Sequence, residues 1–381
     1  MFPKNQPFVG SAPVCKTGYI RSLDGLRLLA SLNIVLMHLN SSWCLLDWAE
    51  QPILRLFLLG PAFNATLFFV LGGFIYFLQL SPKVATFNSR KFLISRIRKL
   101  YPLHVLTAAL MVFILWYREE FFGDWSHLLQ SFVAHIALLW PFAPGHWFSL
   151  NEPSWALVPF FLAYAMIGWP LRKLVRISSL RTLLLLLGAC MLPTVLMSLV
   201  YPLGANDERS YEWFHIFPPF RVFEFFFGMV LARIFQVYQD QGRVSTKPWM
   251  RDASIGLGLF ASWCIVTFKW GYGPFMGWFG PHVLTLVLFG WLIWNLAFQQ
   301  GYIARLFANR WVSAIGRSSF YPYLLHLPLI PLVIISAKAL GFRGFFHQQW
   351  QPILFLVLLY GLSALHVSRK PKKLASSVVK N

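Results

Sequence analysis

Negative charge is what this chain lacks most. Only 13 aspartates and glutamates stand in 381 residues, against 33 lysines and arginines, and charged residues together make up 12%. Soluble domains keep about a quarter of their residues charged, so a water-exposed globular protein is excluded. Cysteine is scarce as well: Cys15, Cys44, Cys190 and Cys264 are scattered, with neither metal-type spacing nor a disulfide framework. No apolar core with a small-residue cleavage site occupies the first twenty residues, so no cleaved signal peptide is expected. There is no soluble domain either, because apolar runs fill the chain from about residue 24 to 368.

What is present is apolar. Hydrophobic residues make up 57% of the chain and the mean hydropathy is +0.58, the composition of an all-α, polytopic protein embedded in a lipid bilayer. The net charge of +20 would suggest a nucleic-acid surface in a soluble protein. Here it reads as topology, and no nucleic acid is expected as a partner.

Ten apolar runs read as spans, near 24–45, 60–80, 101–117, 154–171, 182–201, 219–238, 253–270, 280–299, 320–340 and 352–368. An eleventh stretch, 126–142, is interrupted by His127, Gln130, Ser131 and His135, and reads as an interfacial or re-entrant helix in a long outer loop, 118–153. With that stretch left out, 26 of the 33 lysines and arginines fall on one side: four up to Arg27, six in 83–99, four in 172–181, four in 233–251, three in 305–317 and five in the tail. The bias places both termini in the cytoplasm of a multi-pass plasma (inner) membrane protein. The expected division is a cytoplasmic segment 1–21, a membrane domain 22–368 and a basic tail 369–381.

The first span carries ionisable groups. Arg27 and His38 lie eleven residues apart, about 20° from three full helical turns, so they share a face with the imidazole roughly 16 Å deeper. Ionisable groups at bilayer depth are costly, which makes His38 a functional candidate. Arg96, Arg98 and Lys99 form a second basic cluster on the same side, and arginine forks match phosphate geometry. On the outer side Arg221 and Glu224 stand at i, i+3 spacing and read equally as a structural ion pair or an acceptor contact. In the ninth span Tyr323 and His326 share a face, and the histidine reads equally as interhelical glue. His127, His135 and His146 lack close ligand spacing, so no metal site is read there.

In their order along the chain these pieces resemble one family, the membrane acyltransferase 3 family. Leu23-Asp24-Gly25-Leu26-Arg27 with His38 eleven positions after the arginine is similar to its opening signature, and Phe68-Phe69-Val70-Leu71-Gly72-Gly73-Phe74 to its "FFVLSGF". Arg96 to Pro102 resembles its basic "RxxRxYP", with Lys99 where an arginine is usual. Asn151-Glu152-Pro153-Ser154-Trp155 resembles "N-x-P-x-W", Arg221 to Gly228 resembles "RLxEFxxG", and Gly316 to His326 resembles "G-x-x-SY-x-x-YLxH". The likeness runs from about residue 22 to 330. Three positions depart from it: Phe160 stands where an acidic residue is common, Gly72 where serine is, and Phe320 where tyrosine is.

The resemblance implies transfer of a short acyl group, most often acetyl, from cytosolic acyl-CoA as co-substrate to a hydroxyl of a carbohydrate or lipid-linked sugar. No tightly bound cofactor is implied. It casts His38 and Arg27 as catalytic, Arg96, Arg98 and Lys99 as the acyl-CoA contacts, and Arg221, Glu224, Tyr323, His326 and Trp155 as substrate contacts. Trp140, His146 and Trp147 are further acceptor-side candidates. His38 would act as general base or as an acyl carrier, with Asp24 orienting Arg27. Two other classes are weighed: a secondary transporter, disfavoured by the absence of an evident half-to-half repeat, and a non-catalytic partner in polysaccharide export. Neither should consume acyl-CoA.

Overall fold

The computed structural model describes residues 19–43, 61–118, 124–142, 149–204, 215–242, 246–268, 280–342 and 350–369. Among the described residues the secondary structure is helical, with no strand. The helices are α1 (Ser22–Trp43), α2 (Pro61–Leu80), α3 (Ser89–Tyr117), α4 (Trp125–Ile136), α5 (Leu157–Met166), α6 (Gly168–Leu174) and α7 (Leu180–Gly204). They continue as α8 (Pro218–Asp240), α9 (Pro248–Phe268), α10 (Thr285–Ala297), α11 (Tyr302–Phe307), α12 (Arg310–Ser318), α13 (Phe320–Ala339) and α14 (Trp350–Arg369). Local chemistry sets several starts. Asn88 caps α3 by accepting from Lys91 N at 2.9 Å, Asp124 caps α4 from His127 N at 2.9 Å, and Asn309 caps α12 from Trp311 N at 2.9 Å.

A helix or helix pair occupies each of the ten apolar runs. Six of them (α1, α2, α3, α7, α13 and α14) are long and apolar enough to cross a membrane, and Glu152–Leu174 makes a seventh if its 56° bend is taken within one span. Ten crossings exceed what length and composition establish, because charge and brevity interrupt the rest: α8 carries Arg221, Glu224, Arg233 and Asp240, α9 opens on Arg251 and Asp252, and α10 has 13 residues. The bend has a local cause in Pro170, which lacks the N–H that would bond the Met166 carbonyl. Large apolar side chains lie bare along α7 (Leu184, Leu185, Leu192, Leu196) and α14 (Val357, Leu358, Leu362, Leu365). Such belts are the lipid-facing surface of a multi-pass membrane protein.

The core is built where backbones come close. α2 and α8 form the most extensive helix pair. A Cβ on Gly73 would lie 1.8 Å from the Phe225 carbonyl oxygen, and one on Gly228 2.0 Å from that of Val70. Only glycine at both positions allows this approach. α1 packs against α2, α10, α11, α12 and α13. It runs alongside α13 in the same direction: Ser31 Oγ donates to Ser319 O at 3.1 Å, and seven residues further along each helix His38 meets His326.

The short helix α4 doubles back along α3. Tyr101 OH donates to Ile136 O (2.7 Å) and His104 Nε2 to His135 O (3.0 Å), while Trp140 stacks on both imidazoles at 5.1 and 4.2 Å. Its exposed side carries Trp125, Leu129, Val133 and Ile136 beside Ser126, His127 and Gln130, and its buried face holds Leu128, Ser131 and His135. Its twelve residues rise only about 18 Å, short of a hydrocarbon core of about 30 Å. The length and the packing against α3 agree with a short interfacial or re-entrant helix rather than a crossing.

Candidate active site

His38 and His326 face each other in the interior, with ring centroids 4.9 Å apart. Each Nδ1 sits against the carbonyl four residues earlier on its own helix, His38 on Ile34 O (2.9 Å) and His326 on Pro322 O (2.9 Å). A carbonyl only accepts, so each Nδ1 carries the proton and each neutral ring keeps its lone pair on Nε2. His326 Nε2 then accepts from His38 Nδ1–H at 3.1 Å. One tautomer is thereby fixed for both rings, and the basic nitrogen of His38 is Nε2. That nitrogen points toward Glu152, whose Oε1 lies 3.9 Å away with the carboxylate side chain 41% exposed.

Glu152 is held there by its neighbours. Pro328 cannot donate to the Leu324 carbonyl, and Asn151 Nδ2 supplies the missing donor at 3.0 Å. Tyr323 OH donates to Pro153 O at 2.6 Å. The Asn-Glu-Pro turn is thus pinned to α13 on both sides of Glu152. The sequence places Glu152 in a motif but gives no sign of where its side chain points. That depends on the proline-opened carbonyl of a helix 173 residues away.

A cavity of about 320 Å³ comes within one helical turn of this pair. Arg27, Arg96, Lys99 and Arg317 line one part of it, and Ala65, Phe68, Ala156 and Tyr323 another, with Phe160 and Tyr164 also in the wall. His38 and His326 are not lining residues; Tyr323 is, one helical turn from His326. Asp24 organises part of the basic wall. It accepts from Arg27 Nη1 (3.3 Å), Ser313 Oγ (2.8 Å) and Tyr19 OH, while Arg317 Nη1 donates to Ser313 Oγ (2.9 Å) and Tyr19 OH (3.0 Å). Asp24 therefore orients Arg27, and it brings in Arg317, a cation that positive-inside counting absorbs as topology. Arg96 lies over the rings of Tyr76 and Phe92 and donates Nη1 to Tyr76 OH at 3.3 Å. Arg98 is exposed and outside the cavity wall, being two residues, about 200° of rotation, from Arg96.

If the cavity takes an anionic donor, Arg317→Ala is expected to raise the donor KM about tenfold with little change in kcat, the size of one charge-assisted hydrogen bond. Steady-state kinetics in membranes would check it, and an unchanged KM would remove Arg317 from the site.

Arg221 and Glu224 lie elsewhere, buried in a network of their own. Arg221 donates to Glu224 Oε1 (2.6 Å), Thr66 Oγ1 (3.2 Å) and His215 O (2.6 Å), meets His215 Nδ1 at 2.8 Å, and lies 5.7 Å from the Trp155 ring. All three guanidinium nitrogens are engaged within the protein, whereas Glu224 Oε2 has no hydrogen bond among the described residues. Trp155 packs on Phe69 and His215, away from the cavity wall. Trp140 belongs to the α3–α4 contact, while His146 and Trp147 lie outside the described residues. Among the described residues no group of three or more His, Cys, Asp or Glu side chains is arranged to hold a metal ion.

A buried histidine pair with an adjacent carboxylate, one helical turn from a cavity with a basic wall, is the candidate centre of a multi-pass membrane protein. The family model described as an acyltransferase domain matches residues 20–365, and the chain belongs to this acyltransferase 3 family. It is similar, at 24% identity, to YrhL of Bacillus subtilis (89% of this chain, 53% of that protein) and to the peptidoglycan O-acetyltransferase OatA of Listeria monocytogenes (82% and 50%). It is 28% identical to acyltransferase MdmB of Streptomyces mycarofaciens over 241 residues, 59% of this chain and 60% of that protein. The chain thus spans about half the length of the first two relatives. No solved structure matches it.

Proposed function

We propose that this chain is a plasma-membrane acyltransferase, with ten crossings and both termini cytoplasmic. It moves a short acyl group, acetyl above all, from cytosolic acyl-CoA to a hydroxyl of a surface carbohydrate such as peptidoglycan or an exopolysaccharide. The observation that carries this reading is the His38–His326 pair, with Glu152 Oε1 3.9 Å from His38 Nε2, standing one helical turn from a cavity with four cations in its wall. The family membership and the OatA name support the reaction class and a polysaccharide acceptor.

In this mechanism the phosphates of the donor stay at Arg27, Arg96, Lys99 and Arg317, and the thioester arm enters the apolar part of the cavity. The acceptor hydroxyl gives its proton to His38 Nε2 as its oxygen attacks the thioester carbonyl carbon. The tetrahedral intermediate collapses, the C–S bond breaks, and the departing sulfur takes the proton back from Nε2. While the ring is cationic, His326 Nε2 accepts from Nδ1–H, the orienting role of a triad, and the Glu152 carboxylate, 3.9 Å from Nε2, stabilises the charge through space.

Glu152→Gln is therefore expected to lower kcat by about 10²-fold, with donor KM unchanged and partial recovery in Glu152→Asp. A variant with wild-type kcat would take Glu152 out of the chemistry. The reading as a whole is tested in sealed vesicles of both orientations with labelled acetyl-CoA. Label should reach glycan only when the donor is supplied to the face bearing Arg27 and Arg96. Transfer from the opposite face, or none from either, would overturn it.

A further inference from the structure

The cavity is stepped, and the middle step is made by one side chain. Along α5 and the turn before it, Tyr164, Phe160 and Ala156 line the cavity at intervals of four residues. Along α2, Tyr76, Phe68 and Ala65 line it, with Gly72 between Tyr76 and Phe68 facing Phe160. Four residues rise about 6 Å, so three layers follow one another. Tyr76 and Tyr164 stand beside Arg96, then Phe160 faces Gly72, then Ala65 and Ala156 stand with Tyr323 one turn from His326. The first layer is phenolic, the second a single aromatic ring, and the third sets Ala65 and Ala156 beside the Phe68 ring, which meets Tyr323 edge-on at 5.7 Å between centroids, the Tyr323 hydroxyl being tied to Pro153 O.

The Phe160 ring is fixed. It packs against Phe69 at 4.7 Å, Tyr164 at 5.8 Å and Phe225 at 6.4 Å between centroids. A Cβ added to Gly72 would lie 3.0 Å from Phe160 Cε1, closer than ordinary packing allows. The ring therefore takes the space that any side chain at position 72 would fill, and it stands between the cations and the end lined by Ala65, Phe68 and Ala156.

We propose that Phe160, seated on Gly72, sets the length of the acyl group that this protein transfers. This rests on the reading that the donor enters from the cation-lined wall. A thin, unbranched thioester arm passes the ring, and the acyl group lies in the chamber that Ala65, Ala156 and the Phe68 ring enclose. Tyr323 closes that chamber ahead and Phe160 closes it behind. Acetyl fits there; each further methylene must displace the ring or meet Tyr323.

The test is competition between equal amounts of acetyl-CoA, butyryl-CoA and hexanoyl-CoA, with product ratios read by mass spectrometry in one tube, so that expression level cancels. Wild type should favour acetyl. Phe160→Ala should raise the butyryl-to-acetyl ratio about tenfold or more, since two methylenes gain a place out of water. Gly72→Ala, which adds a methyl group beside the ring, should lower the ratio. Acetyl transfer by wild type with the same ratio in Phe160→Ala would overturn the proposal and leave the acyltransferase reading standing. No transfer by wild type from any of the three donors would overturn both. Should Phe160→Ala yield no folded protein, Gly72→Ala decides: a lowered ratio supports the proposal and an unchanged one defeats it.

Discussion

His38→Ala is expected to lower acyl transfer by about 10³-fold or more, and His326→Ala by about 10- to 100-fold, the sizes for a lost general base and for a lost partner of that base. The two residues act as a unit, because the proton position on His38 is set by what its Nδ1 meets, Ile34 O at 2.9 Å and His326 Nε2 at 3.1 Å. Removing His326 leaves the bond to Ile34 O and loosens the ring, whereas removing His38 leaves nothing for His326 to orient. The double variant should therefore be no slower than His38→Ala alone. Measured rates that multiply, with the double variant slower by the product of both losses, would show that His326 acts independently, for instance as a contact of the acceptor. His326→Gln is the informative intermediate, since it keeps an acceptor for Nδ1–H and should restore part of the activity.

The second large effect concerns the fold rather than the chemistry. Gly73→Val and Gly228→Val are each expected to leave little folded protein. A Cβ at either position would sit 1.8 or 2.0 Å from a backbone carbonyl oxygen of the facing helix. Backbone cannot yield as a flexible side chain can, and even milder overpacking costs about 1–3 kcal/mol. The change would separate α2 from α8 and so disturb Phe69, Phe160 and Phe225, which pack across that seam. Gly188→Val and Gly361→Val serve as controls, because nothing lies within 4 Å of a Cβ added there. Thermal melts of detergent-solubilised protein followed by size exclusion would check this. Wild-type melting of Gly73→Val would mean that the two helices are further apart than described.

Much of this arrangement is legible in the amino-acid sequence, and the reasons for what is not are specific. Helical periodicity alone puts Arg27 and His38 on one face, and Asp24 one turn from Arg27 reads correctly as its partner, since both relations lie within one helix. The membership of the acyltransferase 3 family rests on six short motifs in order. Relations between helices escape such reading. Glu152 approaches His38 only because Pro328 opens a carbonyl that Asn151 fills, and Arg317 joins the cations only because Ser313 and Tyr19 gather around Asp24. Arg98 reads as part of the patch by adjacency, yet two residues on a helix point nearly opposite ways. The departures at positions 72 and 160 look unrelated in the chain, and they meet as one contact in the folded protein. For the short helix α4, His135 interrupting the apolar run is the visible signal, and its burial against Trp140 and His104 is the physical reason.

The most direct test of the central claim uses purified protein in liposomes with labelled acetyl-CoA and a peptidoglycan or exopolysaccharide fragment as acceptor, comparing wild type with His38→Ala at equal folded protein. The account predicts label in the sugar with wild type and only background with the variant. Transfer by His38→Ala at the wild-type rate would contradict it.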